Sequence, residues 1–349
     1  MAHILISAAH KSSGKTTVSI GLAAALTGQG LNVQTFKKGP DYIDPMWLAR
    51  ATATPCRNLD YYTMSAQEIL ATFSGHSHGA DFSLIEGNKG LFDGLDLEGG
   101  NSNAALATLL GAPVILVIDA RGMTRGIAPL ILGYQAFDPA LNIAGVILNK
   151  VGGPRHERKL RAIIEHYTNV PVLGAVHRDE RLEIAERHLG LTPSNEAPEA
   201  DAKISAIASL IAAQVDLDAI KRIAATAIDL AASALPRPSA SNADLTIGVA
   251  KDSAFGFYYP GDLEALEDAG AKLITIDMTK DTALPEIDGL FIGGGFPETR
   301  MAELEANTAM RDAVARAIDD GLPAYAECGG LMYLARSLTW NGETHAMAG

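Results

Sequence analysis

The chain alternates short, uniformly apolar runs with longer stretches in which Ala and Leu recur at helical spacing. Runs at residues 4–8, 33–36, 82–85, 114–118, 143–148 and 172–174 are rich in Val and Ile and carry little polar alternation. Strands of that kind are covered on both faces, and segments such as 16–27 and 104–110 supply covering helices. The pattern therefore predicts a parallel sheet in an α/β fold. Residues 201–235 continue as an Ala- and Ile-rich helical stretch that breaks into Pro236-Arg-Pro-Ser-Ala-Ser-Asn-Ala243, a linker composition. A second α/β pattern follows, with strands at 245–250, 273–276, 290–292 and 324–326 and helices at 261–269 and 301–319. Three parts result: a domain over 1–200, a helical segment and linker over 201–243, and a second domain over 244–349.

Charge and cysteine content narrow the chemistry. With 28 basic against 41 acidic residues the formal charge is −13, and no basic run is long enough to follow a nucleic-acid backbone. Nucleic acid is excluded as an expected partner. The apolar run 112–118 is too short to cross a bilayer, and the N-terminus runs straight into a strand without a signal-type segment. A cytoplasmic protein with no membrane partner is expected. Cys56 and Cys328 are the only cysteines, too few for a disulfide framework or a Cys-rich zinc site.

The first apolar run leads through His10-Lys-Ser-Ser-Gly-Lys-Thr-Thr17 into a helix, the strand–loop–helix setting of a phosphate-binding loop. Ser13, Gly14, Lys15, Thr16 and Thr17 are its candidate ATP contacts. Gly14 lets backbone N–H groups approach a phosphate at the helix N-terminus, Lys15 reaches the β/γ-phosphates, and the Thr16 hydroxyl ligates Mg²⁺. Ala9 stands where the usual pattern has its first glycine. Lys11 is either a further phosphate contact or a solvated loop lysine.

Two more loops open where parallel strands end, the place at which such sheets bind ligands. One is Phe36-Lys-Lys-Gly-Pro-Asp-Tyr-Ile-Asp-Pro45, the other Ile85-Glu-Gly-Asn-Lys-Gly-Leu-Phe-Asp-Gly94. Asp41 and Glu86 complete with Thr16 an oxygen set suited to Mg²⁺, and Lys37 is placed to neutralise charge on a transferring phosphoryl group. Taken singly, Gly-Pro-Asp and Asp-Gly are also ordinary turns.

Taken together, Ser13-Gly-Lys-Thr-Thr17, Lys37 with 39–45, Asn58-Leu-Asp60, Glu86-Gly87 with 90–94, Asn149-Lys-Val151 and Arg187-His-Leu-Gly-Leu191 resemble the cobyrinic acid a,c-diamide synthase family. The first domain of that family is similar to dethiobiotin synthetase, and the resemblance covers nearly the whole chain. It implies an ATP-dependent ligase in which Lys37, Asp41 and Glu86 serve the phosphates, the metal and the reacting carboxylate. It also implies that Asn149 lies near the adenine, although Asn149 is readable as a cap on its strand. The implied substrate is a tetrapyrrole polycarboxylate, amidated on the a and c acetate side chains of a corrin. Siroheme or (nickel-)sirohydrochlorin is the alternative ring, kept open by Asn88 and Lys89, which stand where the family has Val and Met, and by Asn101-Ser-Asn103. Asp44, Asn88, Lys89 and Asp93 are the expected substrate contacts in the two loops. Arg178 and Arg187 join them, since guanidinium groups bind carboxylates bidentately. A homodimer stays open as an assembly.

The second domain carries Ala324-Tyr-Ala-Glu-Cys-Gly-Gly-Leu-Met-Tyr-Leu334, a strand, a tight turn and an apolar helix. That is a nucleophile elbow with cysteine in place of serine, exposing the Cys328 thiol at a helix N-terminus that favours the thiolate. N–H groups of Gly329 and of the 292–298 loop, with Gly294 and Gly295, are the candidate oxyanion hole. A lone cysteine is otherwise most often a buried structural one. The two glycine-rich segments together match the triad-type glutamine amidotransferases, and Asp252-Ser-Ala-Phe-Gly-Phe-Tyr-Tyr259 resembles the start of this family's second domain. In such enzymes the basic His follows well after the nucleophile. His345 is too close to Cys328 for that part, so the chain reads as a truncated version of a longer protein with an incomplete glutaminase.

The chemistry expected is formation of an acyl phosphate from ATP in the first domain and its displacement by ammonia, supplied directly or from glutamine through a Cys328 thioester. A nucleotide switch or chaperone is the competing reading from another class, and it has no need of a cysteine elbow. Among the histidines, His76 and His78 read as solvated, and His177 and His188 as residues beside the substrate cleft.

Overall fold

A computed structural model describes residues 1–187, 190–230 and 244–349. The expected linker 236–243 and His188 lie outside the described residues. The chain divides into two compact units, one of Met1–Ser194 with Glu199–Leu235 and one of Asn195–Pro198 with Pro236–Gly349.

In the first unit seven strands form one parallel sheet: β1 (His3–Ala8), β2 (Val33–Lys38), β3 (Arg57–Leu59), β4 (Phe82–Glu86), β5 (Val114–Asp119), β6 (Ile143–Val151) and β7 (Val172–His177). Their order is β3-β2-β4-β1-β5-β6-β7, and all neighbours run parallel. The apolar runs of the sequence are these strands, each extended by one to three residues. The short strand β3 has no apolar run to announce it, and it is held through its pairing with the end of β2.

Among the described residues eight α-helices connect and cover the strands: α1 (Lys15–Gly28), α2 (Ile43–Thr52), α3 (Ala66–Ser77), α4 (Asn103–Leu110), α5 (Ile127–Phe137), α6 (Pro154–Tyr167), α7 (Ala200–Gln214) and α8 (Leu217–Ala224). On one face Ile4, Ile6, Ile115, Val117 and Ile147 of the sheet pack against Val18 and Leu22 of α1, Ile207 and Ile211 of α7 and Ile220 of α8. On the other, Leu5, Phe36, Ile85, Leu116 and Leu148 pack against Ile69 and Phe73 of α3, Leu106 of α4, Ile131 of α5 and Leu160 of α6. The helical stretch after residue 200 is therefore not a segment apart: α7 and α8 are part of the first unit's core. Any side chain at Gly21 would run into Ile211, so the glycine is what lets α1 and α7 approach. Each fully buried Ile of this kind contributes about 1.5–3 kcal/mol.

The second unit is built on four parallel strands in the order Ala271–Ile276, Leu245–Ala250, Gly289–Ile292, Ala324–Ala326. Phe255, Leu290, Ile292, Leu304, Met310, Val314 and Tyr333 form its core. The single helix expected over 301–319 is two, Met301–Ala306 and Thr308–Asp319. Asn307 breaks it: its side chain accepts from the Met310 N–H and donates to the carbonyls of Met278 and Asp281, both at 2.9 Å. A capping residue tied on two sides cannot also continue the helix.

Candidate active site

The loop after β1 is a phosphate cradle. Ser12 and Gly14 take left-handed backbone conformations, with φ of 63° and 87°. The carbonyl oxygens of the loop are held from outside: Tyr134 Oη donates to Ala9 O at 2.6 Å, Lys150 Nζ to Ser12 O at 2.8 Å and Asn149 Nδ2 to Ser13 O at 2.8 Å. Carbonyls fixed outward leave the N–H groups free to face an anion, the arrangement that binds phosphate at a helix start. Asn149 thus ties the end of β6 to this loop. Lys15, first residue of α1, is buried with no ion pair among the described residues, and burial lowers its pKa. Thr17 Oγ1 reaches Leu182 O at 3.5 Å.

Beside the cradle four side chains from four elements converge: Thr16 of α1, Lys37 of β2, Asp44 of α2 and Glu86 of β4. Lys37 and Glu86 are register partners at the ends of β2 and β4, with Nζ 3.2 Å from Oε1. The Thr16 hydroxyl donates to Glu86 Oε1 at 2.6 Å and to Asp44 Oδ2 at 3.1 Å. Lys37 also pairs with Asp44, and with Asp41 at 3.3 Å. Of the two aspartates it is Asp44, assigned by the sequence to substrate, that reaches Thr16. Asp41, assigned to the metal, spends one carboxylate oxygen on the N–H groups of Ile43 and Asp44 at the start of α2.

Electrostatics follow from burial. Glu86 is fully buried, and that desolvation pushes its carboxyl up to about 7 although Lys37 opposes it. Burial alone would depress the Lys37 ammonium, but Asp44, Glu86 and Asp41 outweigh it and hold the group well above the ordinary lysine value. Asp44 is held below its usual value: burial raises it, and Lys37 more than compensates.

The donor set suits Mg²⁺. Glu86 Oε2 is buried with no hydrogen-bond partner, beside a hydroxyl and a second carboxylate. Among the described residues no three or more His, Cys, Asp or Glu converge on a metal-sized point. A hard cation that keeps waters and phosphate oxygens needs only one or two protein carboxylates.

The remaining expected contacts sort themselves by geometry. Asp93 closes its own loop by accepting the Gly90 N–H at 2.8 Å. Asn88 accepts from Lys38 at 3.2 Å, and Lys89 is exposed with φ 39°. Arg178 is exposed just past β7, and Arg187 sits in a short hairpin, Glu186–Arg187 against Gly190–Leu191. His177 pairs with Glu157 at 2.8 Å. Sequence reasoning noted Asn103 only within Asn101-Ser-Asn103 and missed its use: it is a fully buried side chain that receives the Asn88 N–H at 3.0 Å and donates to Ser7 Oγ at 3.0 Å and Gly90 O at 2.9 Å. An asparagine at the first position of an apolar helix was its signal. Lys38 and the loop-holding use of Asn58, which donates to the carbonyls of Gly39 and Asp41 at 2.9 and 2.7 Å, were overlooked too.

The second unit presents its own site. Cys328 is exposed between Ala324–Ala326 and the helical turn Gly329–Tyr333, with φ 50° and ψ −113°. Such a strained conformation at a strand-to-helix turn defines an elbow. It survives because both following glycines are hemmed in: a side chain at Gly329 would come within 2.9 Å of Gly295 O, and one at Gly330 would run into Ile292 O. A side chain at Gly294 would lie 3.4 Å from Cys328 Cβ, so the candidate oxyanion loop does border the thiol. Tyr258 holds that loop: its hydroxyl accepts the Gly293 N–H at 2.8 Å and donates to Ala250 O. His345 Nδ1 is engaged by Glu305 at 2.7 Å. Among the described residues no helix is long and apolar enough to cross a membrane.

Comparison with known proteins agrees with this division. Residues 4–191 match the CobQ/CobB/MinD/ParA nucleotide binding domain, and residues 246–349 match the CobB/CobQ-like glutamine amidotransferase domain. A cobyrinate a,c-diamide synthase of Magnetococcus marinus is 47% identical over 99% of this chain and 75% of its own length. Those of Methanosarcina acetivorans and Listeria innocua are 44% and 41% identical, over 96% and 100% of this chain and 70% and 78% of theirs.

Proposed function

Because the chain belongs to the cobyrinate a,c-diamide synthase family, we propose that it amidates acetate carboxylates of cobyrinate, using ATP and glutamine. The observation that carries the reading is the convergence of Thr16, Lys37, Asp44 and Glu86 beside the phosphate cradle. A hydroxyl, an ammonium and two carboxylates from two strand ends and two helix starts meet where the γ-phosphate of ATP would end.

In the first unit a substrate carboxylate oxygen attacks the γ-phosphorus of ATP. The bond to the β,γ-bridging oxygen breaks, and ADP and an acyl phosphate form. Lys15 and Lys37 stabilise the charge that develops on the transferring group, which is where such sites gain most of their rate. Thr16, Glu86 and Asp44 are the residues that would hold Mg²⁺. When bound, it neutralises phosphate charge and fixes the β- and γ-phosphates in place. Asp41 orients Lys37 and the start of α2. Ammonia then attacks the acyl carbon, and phosphate leaves with the electron pair of the C–O bond.

The elbow supplies ammonia. The Cys328 thiolate attacks the side-chain amide carbon of glutamine, the tetrahedral oxyanion rests on N–H groups of Gly329 and the Gly294–Gly295 loop, and the C–N bond breaks as the leaving nitrogen takes up a proton from water or a general acid and departs as ammonia; water then hydrolyses the glutamyl thioester, releasing glutamate, the proton and the thiolate. A nucleotide switch has no use for this turn.

The test is ADP formation with ammonia as nitrogen source and cobyrinic acid, siroheme or sirohydrochlorin as substrate. Cobyrinic acid should give the highest kcat/KM. Preference for another ring would overturn the substrate, and ring-independent ATP hydrolysis would overturn the ligase reading.

A further inference from the structure

Lys37 and Lys38 are consecutive on β2, so their side chains leave opposite faces of the sheet. Lys37 shares the face of Glu86 and α1. Lys38 shares the face of Phe36, which packs against α3 and α4. Lys38 is buried, retaining 6% of its exposure. Among the described residues its ammonium has one hydrogen-bond partner, the neutral Asn88 Oδ1 at 3.2 Å, and no carboxylate within ion-pair distance. The nearest acid acting on it, Asp60, is turned to its own turn, accepting from the Tyr62 N–H at 3.1 Å.

A buried ammonium with one neutral acceptor is costly, because a lysine brings three donors and a full charge. Lys89, three positions after Glu86 on the exposed loop, adds a second positive charge that acts on the same group. Burial lowers the Lys38 pKa, Asp60 opposes this, and Lys89 and Lys37 add to it. Lys89 directly follows Asn88, whose Oδ1 holds the Lys38 ammonium, and an anion bound by both lysines would relieve their mutual repulsion. The nucleotide does not provide it, since its phosphates are received on the Lys15 and Lys37 side.

We propose that Lys38 and Lys89 form a receptor for a second, non-reacting carboxylate of the ring substrate, on the opposite side of β2 from the reacting one. The proposal rests on the amidation reading and adds how the ring is oriented. One side-chain carboxylate is delivered to the γ-phosphate while a neighbouring one is held by the lysine pair, with Asn88 keeping the Lys38 ammonium aimed at it. Such a receptor selects rings by the spacing of their carboxylates.

The experiment is an optical titration of the apoprotein with cobyrinic acid, with its full methyl ester, and with MgATP, for wild type, Lys38→Met and Lys89→Met. Each variant should bind cobyrinic acid about tenfold more weakly, the size of one charge-assisted contact, with MgATP affinity unchanged. The salt dependence of cobyrinic acid binding should flatten, and the ester should bind all three proteins alike. Lys89 is exposed, so its variant carries the test even if Lys38→Met does not fold. Equal cobyrinic acid affinity in wild type and variants overturns this proposal alone. So does an equal loss of MgATP binding, which would leave Lys38 a tether between loops. A wild type that binds no cobyrinic acid overturns the ring assignment as well.

Discussion

Lys37 and Glu86 stand side by side on neighbouring strands, both buried, with Nζ and Oε1 3.2 Å apart. Neither charge is tolerable there alone. Asp44 joins Lys37 on its other side, so one ammonium holds two carboxylates in a space that the nucleotide's phosphates would enter. The cluster is assembled before ligand arrives, and its members are poor structural choices that make sense as chemistry.

Replacing Lys37 tests both aspects. Lys37→Met leaves Asp44 and Glu86 without their cation and should cost about 3–5 kcal/mol of stability, read as a lower midpoint in urea unfolding. Ammonia-supported amide formation should fall by about a hundredfold or more even where the variant is fully folded. Turnover at the wild-type rate would remove Lys37 from phosphoryl transfer.

Glu86 gives the pH dependence. Its folded carboxyl titrates at about 7, above its ordinary value of 4.5, so the folded protein binds more protons than the unfolded chain between those values. Stability from this group is present below the lower value and is lost as pH rises through the upper one. Glu86→Gln keeps an acceptor oxygen for Thr16 and Lys37 and cannot ionise. Its thermal midpoint should therefore gain on wild type as pH is raised from 5 to 8, while amidation is lost. Parallel curves would show that Glu86 is already ionised throughout.

Nitrogen delivery separates the two units. In a protein whose glutaminase is complete, Cys328→Ser should abolish glutamine-supported amide formation and leave ammonia-supported formation unchanged, because only the thioester step needs the thiol. Alkylation of Cys328 in wild type should do the same. Loss of the ammonia route in either case would place Cys328 in the synthetase chemistry.

Asn103 holds the loop after β4 from beneath, through the Asn88 N–H, Ser7 Oγ and Gly90 O. Asn103→Ala leaves buried donors and acceptors open and should destabilise the protein by about 2–4 kcal/mol. KM for the ring should rise more than KM for ATP, since Asn88 and Lys89 lose their support. Equal changes in both would make the loop a general scaffold.

The strands and the phosphate loop were legible because burial on both faces leaves an apolar signature and because Gly-Lys-Thr after a strand has few other uses. The elbow was legible for a similar reason: two glycines after Cys328 are required by carbonyls that no other residue clears. What the sequence hides is direction. Asp41 and Asp44 are three residues apart in one motif, and only the turn into α2 decides that Asp44 faces Thr16 while Asp41 caps the helix. Lys38 escaped notice because a second lysine beside Lys37 looks redundant until strand alternation sends it to the other face. The helix 301–319 was misjudged since nothing local distinguishes a mid-helix Asn from one anchored by Met278 and Asp281.

The seam between Gly14 and Asn149 carries a further consequence. Any side chain on Gly14 would occupy the space of the Asn149 amide, which in turn holds the carbonyl of Ser13. The two positions, 135 residues apart in the chain, therefore cannot drift independently. A library randomised at both should keep glycine at 14 almost throughout, because its φ of 87° strains any larger residue even where a smaller one at 149 clears the space.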